Sequence, residues 1–469
     1  MLGPVESISL TVRNGTRTAG DVVEEYLEVA RVRNPDLNAF TEIDRDGALR
    51  QASLIDGGTR TGPLAGVPIA LKDLIDHAGH VNTAGSAFYR HRPAVSATVV
   101  DRLEAAGAII MGRTGLHEFA FGFSSENPWF GPVRNPWDTD LSPGGSSGGS
   151  AVAVAAGMSP AAIGTDTGGS VRVPAALCGI VGLKVTHGRI PLTGVFPLAG
   201  SLDTVGPLAL TTGDTRLLYE AMKGFDRSDP WSAPVARPPR QVRALEYLRV
   251  AVPLPWLEHV ETTGVTRRRF DRFCGHLRDL GVTVEPVTDP ALAPDPILFN
   301  LVGTEAAAVH REWFADPTKP YGDDLRDRLG QAMDNTAADY LEAVRWRAGM
   351  VQAARELFAR YHLILIPSVG HPRKRIGVDT IDIDGTPTFY RLPLSGYTAL
   401  VNVLGCPAIS LPVLDEGIPP PSVQLVGPWW GENLLLGAGE ELERSGIVGS
   451  RPPVEPTDPI GIPEGVPAG

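Results

Sequence analysis

Ser142-Pro143-Gly144-Gly145-Ser146-Ser147-Gly148-Gly149-Ser150 and Thr165-Asp166-Thr167-Gly168-Gly169-Ser170-Val171-Arg172-Val173-Pro174 frame the most informative part of this chain. The run between them, Ser150 to Ala156, is built almost wholly from Ala and Val. Apolar all round, it reads as a buried helix. A short strand at Ala161 to Gly164 follows, then the second glycine-rich loop. A Gly/Ser run by itself suggests a flexible linker. Here it lies between a Pro-Trp-Asp segment (Pro136 to Asp138) and a buried helix, which a linker does not explain. No Gly-Lys-Ser/Thr ending is present, so a Walker A phosphate loop is rejected. The pattern G-x-S-x-G occurs at 144–148 and 145–149, but a nucleophile elbow needs a strand just before its serine. Residues 138–143 are polar and end in Pro143, which argues against that elbow.

The second turn is the better place for a nucleophile. Gly168 and Gly169 lack side chains, so their backbone can pack against a substrate carbonyl. Their N–H groups, with those of Thr167 and Ser170, could face a developing oxyanion. Pro174 suits the first turn of a following helix, whose positive end would add to that stabilisation. A serine hydroxyl is a weak nucleophile and needs a base. His77, His80 and His117 sit in unremarkable polar settings. Lys72 stands apart as the first charge in the strand Val67 to Asp73, where Val67, Ile69 and Leu71 alternate with Ala70 and Lys72. A lysine on a half-buried strand usually faces solvent. Burial instead would draw its pKa from about 10.4 toward neutrality, at about 4 kcal/mol for a shift of about three units.

Outward from this core, the same alternation of strand and helix continues. Thr18 and Asp21 resemble a capping box ahead of Val22, Val23, Tyr26, Leu27 and Ala30 at helical spacing. Ser96 to Ala106 reads as a capped helix leading into the strand Ala108 to Met111, with a turn at Gly112-Arg113-Thr114-Gly115. Ile180 to Val185 reads as another strand. Leu248 to Val252, Val265 to Leu280 and Val282 to Val287 form a βαβ unit. Thr336 and Asp339 open a long helix with Tyr340, Leu341, Val344, Val351, Leu357 and Phe358 on its apolar positions, followed by the strand Leu363 to Ile366. The pattern predicts an α/β fold with a mixed, largely parallel central β-sheet covered by helices on both faces.

The totals narrow the function. A formal charge of −12 argues against direct nucleic-acid binding and against an anionic membrane surface. Three scattered cysteines, Cys178, Cys274 and Cys406, suit buried free thiols in a reducing, cytoplasmic compartment, and nothing resembles a metal-ligand cluster. No signal peptide is read at the N-terminus. The uncharged stretch Leu392 to Leu414 is long enough to cross a bilayer, but Pro393, Gly396, Asn402, Gly405, Pro407 and Pro412 make it a buried helix followed by a strand. Two proline-rich segments, 229–240 and 451–469, read as a surface connection and a C-terminal tail.

Four segments together resemble the amidase signature family: Gly66 to Asp73, Asn135 to Asp138, the Gly/Ser run at 144–150, and Asp166 to Pro174. Ala106-Gly107-Ala108, Glu118-Phe119-Ala120 and Ser201 to Pro207 add to the match. The resemblance implies one domain over residues 1–450 with its catalytic core at about 64–207. It also implies a Ser-cisSer-Lys triad that needs neither metal nor organic cofactor. Ser170 matches the nucleophile, Ser146 the relay and Lys72 the base, with Thr167, Gly168 and Gly169 at the oxyanion. The expected activity is hydrolysis of a small amide through an acyl-enzyme. The alternative is the glutaminase component of a tRNA-dependent amidotransferase, feeding ammonia to a partner. Homodimers are common among similar enzymes. Arg113-Thr114 and Tyr361-His362 depart from the family pattern around the triad, not within it.

Overall fold

The computed structural model describes residues 2–235, 244–415, 417, 419–451 and 453. The proline-rich segment at 229–240 is described only to residue 235, and the 451–469 tail only at 451 and 453; the rest of both lies outside the described residues.

Eleven strands form one sheet. They are β1 (Phe40–Ile43), β2 (Pro68–Lys72), β3 (Ile109–Thr114), β4 (Ala161–Asp166), β5 (Val181–Lys184), β6 (Thr204–Ala209), β7 (Arg249–Pro253), β8 (Thr283–Val287), β9 (Leu363–Pro367), β10 (Ala408–Pro412) and β11 (Ser422–Val426). Their order across the sheet is β1-β3-β2-β4-β6-β5-β10-β11-β9-β7-β8. The sheet is mixed. Parallel ladders are concentrated in two flanks, β3-β2-β4 and β9-β7-β8. Antiparallel ladders join these flanks through β6, β5, β10 and β11, and add β1 at one edge.

Both faces are covered, which the side-chain alternation makes visible. Ile69 and Leu71 of β2 enter one apolar cluster with Val99 and Leu218, while Ala70 enters another with Val23, Ala48 and Ala151. On β3, Ile110 joins the first cluster and Ile109 and Met111 the second. Successive residues point to opposite faces, so strands buried on both sides read as continuous apolar runs. The helices Thr98–Ala105 and Thr212–Met222 supply the first face; Ala19–Leu37, Arg45–Asp56 and Gly148–Ala155 supply the second.

Most helix signals in the sequence have their counterpart in the fold. Thr18 accepts from the N–H of Asp21, and Thr336 with Asp339 makes a reciprocal capping box. Pro174 lies in the first turn of the helix Arg172–Cys178. The βαβ unit is present, with Arg249 beside Thr283 in a parallel ladder. The stretch around residue 400 is a buried helix, Arg391–Leu404, closed by Gly405 in the left-handed region and followed by β10. Among the described residues no helix is long and apolar enough to cross a membrane.

Three local readings change. The helix after Ser96 starts at Thr98 with no side-chain cap, because Ser96 Oγ accepts the N–H of Ala78 at 3.0 Å instead. β3 continues through Gly112-Arg113-Thr114, where the sequence suggests a turn. Arg113 can stay inside the sheet because its Nε donates to the buried carboxylate of Asp73 at 2.6 Å. On the helix Ala337–Phe358, Leu341 and Val344 face solvent, and Ala343, Met350, Ala353, Ala354 and Leu357 are buried. Close approach to neighbouring elements selects the alanines over the larger aliphatic residues.

Candidate active site

β2 and β4 are parallel neighbours, with Leu71 beside Ile163, so their C-terminal ends bring Lys72 and Thr165 together. Lys72 shares the inward phase of Ala70 and is fully buried. Its Nζ lies 2.8 Å from Ser146 Oγ and 2.8 Å from Thr165 Oγ1. Burial lowers the Lys72 pKa to about 7, with Asp166 and Asp203 pulling the other way. The cause is desolvation of an ammonium that has no carboxylate in direct contact.

Ser146 sits in the turn before the helix Gly148–Ala155, and the Gly145–Ser146 peptide bond is cis. The Ser146 carbonyl accepts from the His117 N–H at 3.2 Å and from Ser125 Oγ at 3.3 Å. The neighbouring Ser147 ties the two glycine-rich turns together. Its N–H donates to the Ser170 carbonyl at 3.2 Å, and its hydroxyl donates to the Thr165 carbonyl at 3.1 Å. The helix that follows must approach closely: a Cβ on Gly149 would stand 2.5 Å from the Ala39 and Gly115 carbonyl oxygens.

The second turn is held by two buried aspartates. Asp166 Oδ1 accepts from Gly169 N–H, Arg172 Nη2 and Asn402 Nδ2, each at 2.9 Å. Its Oδ2 accepts from Val171 N–H at 3.2 Å and Arg172 Nε at 3.0 Å. Burial acts to raise the Asp166 pKa, but Arg172 outweighs it and holds the group at about 2. Arg172 also reaches Gln424 Oε1 at 2.9 Å and Asn402 Oδ1 at 2.6 Å, so β11 and the helix Arg391–Leu404 both lock the turn. Asp203 accepts from Thr167 Oγ1 at 2.5 Å and from the N–H groups of Leu198 and Ala199. Burial pushes the Asp203 pKa up to about 6.

Above this turn opens a cavity of about 510 Å³, lined in part by Thr167, Gly168 and Ser170. Of the three residues matched to the triad, only Ser170 borders it; Lys72 and Ser146 are fully buried and do not line it. The N–H groups of Thr167, Gly168 and Ser170 have no protein acceptor among the described residues. Gly169 is a correction to the expected oxyanion set, because its N–H is already given to Asp166. Its role is steric. It has φ +131°, and a Cβ there would meet Thr398 Oγ1 at 2.1 Å. Gly169→Ala is expected to displace Thr398, lower kcat at least tenfold and destabilise the fold by about 1–3 kcal/mol; steady-state kinetics and urea denaturation check both.

The histidines are placed elsewhere. His77 stacks on His80 at 4.4 Å, and the His117 ring turns its Nε2 to Asp324 at 3.1 Å. Sequence reasoning missed Thr165, Asp203, Thr398 and Asn402 as parts of this site. Asn402 carried a usable signal, as an amide inside an otherwise apolar stretch; Thr165 carried none. All three cysteines are buried and free, and among the described residues no cluster of His, Cys, Asp and Glu could hold a metal ion.

A buried amine thus touches a serine hydroxyl beside a glycine-rich turn that borders a cavity, on an α/β scaffold. The Amidase family profile matches residues 21–436. The chain is 34% identical to AtzE, a component of the 1-carboxybiuret hydrolase of Pseudomonas sp. (strain ADP), over 93% of this chain and 97% of that protein. It is 35% identical to the GatA-type component of the glutamyl-tRNA(Gln) amidotransferase of Thermus thermophilus, over 93% and 96%. A solved structure from a vestigial protein complex linked to the origins of an s-triazine catabolic enzyme superposes with TM-score 0.88 at 33% identity, covering 96% of this chain and 100% of that one. The chain belongs to the amidase family, the hydrolases of carbon–nitrogen bonds other than peptide bonds.

Proposed function

We propose that this amidase works through Lys72, Ser146 and Ser170 by an acyl-enzyme. The observation that carries the reading is the fully buried Lys72 amine, with pKa near 7, at 2.8 Å from Ser146 Oγ. A neutral amine offers one lone pair and two N–H bonds. Thr165 Oγ1 accepts one N–H, and the lone pair can accept the Ser146 proton. Ser170 Oγ makes no hydrogen bond to the described residues, and in this scheme it turns about χ1 toward Ser146. Lys72 takes the Ser146 proton, Ser146 takes the Ser170 proton, and Ser170 Oγ bonds to the amide carbon. The oxyanion accepts from the N–H groups of Thr167, Gly168 and Ser170. When the C–N bond breaks, the proton passes back through Ser146 to the departing nitrogen. Water then attacks the ester by the same relay and releases the acid. The scheme calls on no metal or organic cofactor.

The test is to follow ammonia or amine release across a panel of carboxamides and anilides while trapping the acyl group with hydroxylamine. Hydroxamate formation, with an acyl adduct on the peptide containing Ser170, is the expected result. An adduct on another residue would reject the assignment.

The substrate is read as a small molecule and the protein as a free-standing enzyme, with no role for nucleic acid or membrane. The buried free thiols suit the cytoplasm. A second reading, the ammonia-supplying component of an amidotransferase, draws on the 35% identity to the Thermus protein. Full activity of the purified chain on its own favours the first reading; glutaminase activity that appears only with a partner favours the second. Gel filtration would separate a monomer from the homodimer common among similar enzymes.

A further inference from the structure

The cavity above Ser170 has an apolar belt, including Phe121, Phe123, Leu198, Leu202, Leu298 and Val403, and two guanidinium groups, Arg328 and Arg391. The two arginines differ in what they have left to give. Arg328 is mostly spent: its Nε and Nη2 donate to the Asp324 carboxylate, its Nη2 also to Tyr390 Oη at 3.4 Å, and its Nη1 to the Phe121 carbonyl. Arg391 is not. Its Nη2 donates to Asp324 Oδ1 at 2.7 Å, its Nε is buried without an acceptor, and its Nη1 has no acceptor among the described residues.

The charges do not balance at this spot. Asp324 serves Arg328, Arg391 and the ring of His117, and burial holds the His117 pKa below its ordinary value, so that ring contributes no lasting charge. Among the described residues, Asp324 is the one carboxylate in ion-pair contact with these two permanent cations. Glu261 also lines the cavity, but it is an exposed residue whose charge is screened by water. A buried N–H left without an acceptor is costly, and a charged donor gains most from an anionic acceptor. The planar guanidinium matches a carboxylate in shape as well as sign.

We propose that the substrate of this site is an amide that also carries a carboxylate, held by the unspent N–H groups of Arg391 while its amide carbon lies at Ser170. The apolar belt then spans the distance between the two ends. The identity of the reacting bond rests on the amidase reading; recognition of the carboxylate does not.

The two can be tested apart. Ser170→Ala, with Arg391 intact or changed to Gln or Lys, is titrated by calorimetry with monoamides of dicarboxylic acids and with N-acyl glycines, each beside its methyl ester. Arg391→Gln leaves Asp324 paired to Arg328, and melting curves confirm that each variant is folded. The expected result is that at least one acid binds roughly ten- to a hundredfold tighter than its ester. Arg391→Gln is expected to erase that preference and Arg391→Lys to keep part of it. The inference is overturned if no acid in either series outbinds its ester, or if the preference survives Arg391→Gln. If the acids bind as expected but the wild type releases no ammonia or amine from them, the carboxylate site stands and the amidase reading of these compounds falls.

Discussion

Lys72→Met is expected to cut turnover roughly ten-thousandfold, the scale on which loss of one member of a catalytic triad acts, while making the protein melt at a higher temperature near neutral pH. Both effects have one cause. The Lys72 pKa stands at 10.5 in an unstructured chain and about 7 in the fold. A proton bound by the unfolded chain and released on folding costs stability. That cost, about 4 kcal/mol at pH 7, is fully present below the folded value, shrinks as pH rises from about 7 toward 10.5, and vanishes above. Methionine carries no such cost. Losing the hydrogen bonds at Ser146 and Thr165 takes back about 2 kcal/mol. The stability advantage of Lys72→Met should therefore be clear near pH 7 and fade toward pH 10. Activity of the wild type runs the other way: kcat/KM falls tenfold per unit below about pH 7, where the amine is protonated, and levels off above it. Melting curves and pH–rate profiles measure both. A melting difference constant across that range would mean that the amine keeps an ordinary pKa, and the proton relay would fail with it.

Arg172→Met is expected to be the most destabilising substitution near the site, at about 3–5 kcal/mol, because it leaves the Asp166 carboxylate buried without its cation. The backbone N–H groups and Asn402 would still bind Asp166, but Gln424, Asn402 and the Thr398 carbonyl would each lose a donor. Adding Asp166→Asn removes the stranded charge, so the double variant should recover part of the loss. Urea denaturation of the two single variants and the double variant gives the coupling energy directly. Because the depressed Asp166 pKa contributes stability present above about 3.8 and lost as pH falls through about 2, the wild type should outlast Arg172→Met most clearly above pH 4. Additive effects would mean that the pair does not organise the turn.

The sequence is most legible where local chemistry and global fold agree. The glycine-rich turns, the apolar helix between them and the strand bearing Lys72 all carry short-range signals. So does the Thr336–Asp339 cap, whose partners are three residues apart. What cannot be read depends on distance along the chain. Arg113 looks like a turn residue because the carboxylate that lets it stay buried, Asp73, lies forty positions away. Thr165 is one threonine among many until the parallel pairing of β2 with β4 sets it against Lys72. Gly169 looks like an oxyanion donor because its dihedral angles and the reach of Asp166 are invisible in a string of letters. Hydrophobicity alone assigns Leu341 and Val344 to a core, whereas contact with neighbouring elements favours alanine.

Arg172 meets Gln424 across 252 positions and Asn402 across 230. A chain emerging from the ribosome completes both glycine-rich turns long before it makes the residues that brace the second one. Such long loops close late and slowly. Until β11 is synthesised and docked, the nascent protein carries Ser170 on an unbraced turn, and under the proposed mechanism competence for catalysis arrives only with the last strand of the sheet.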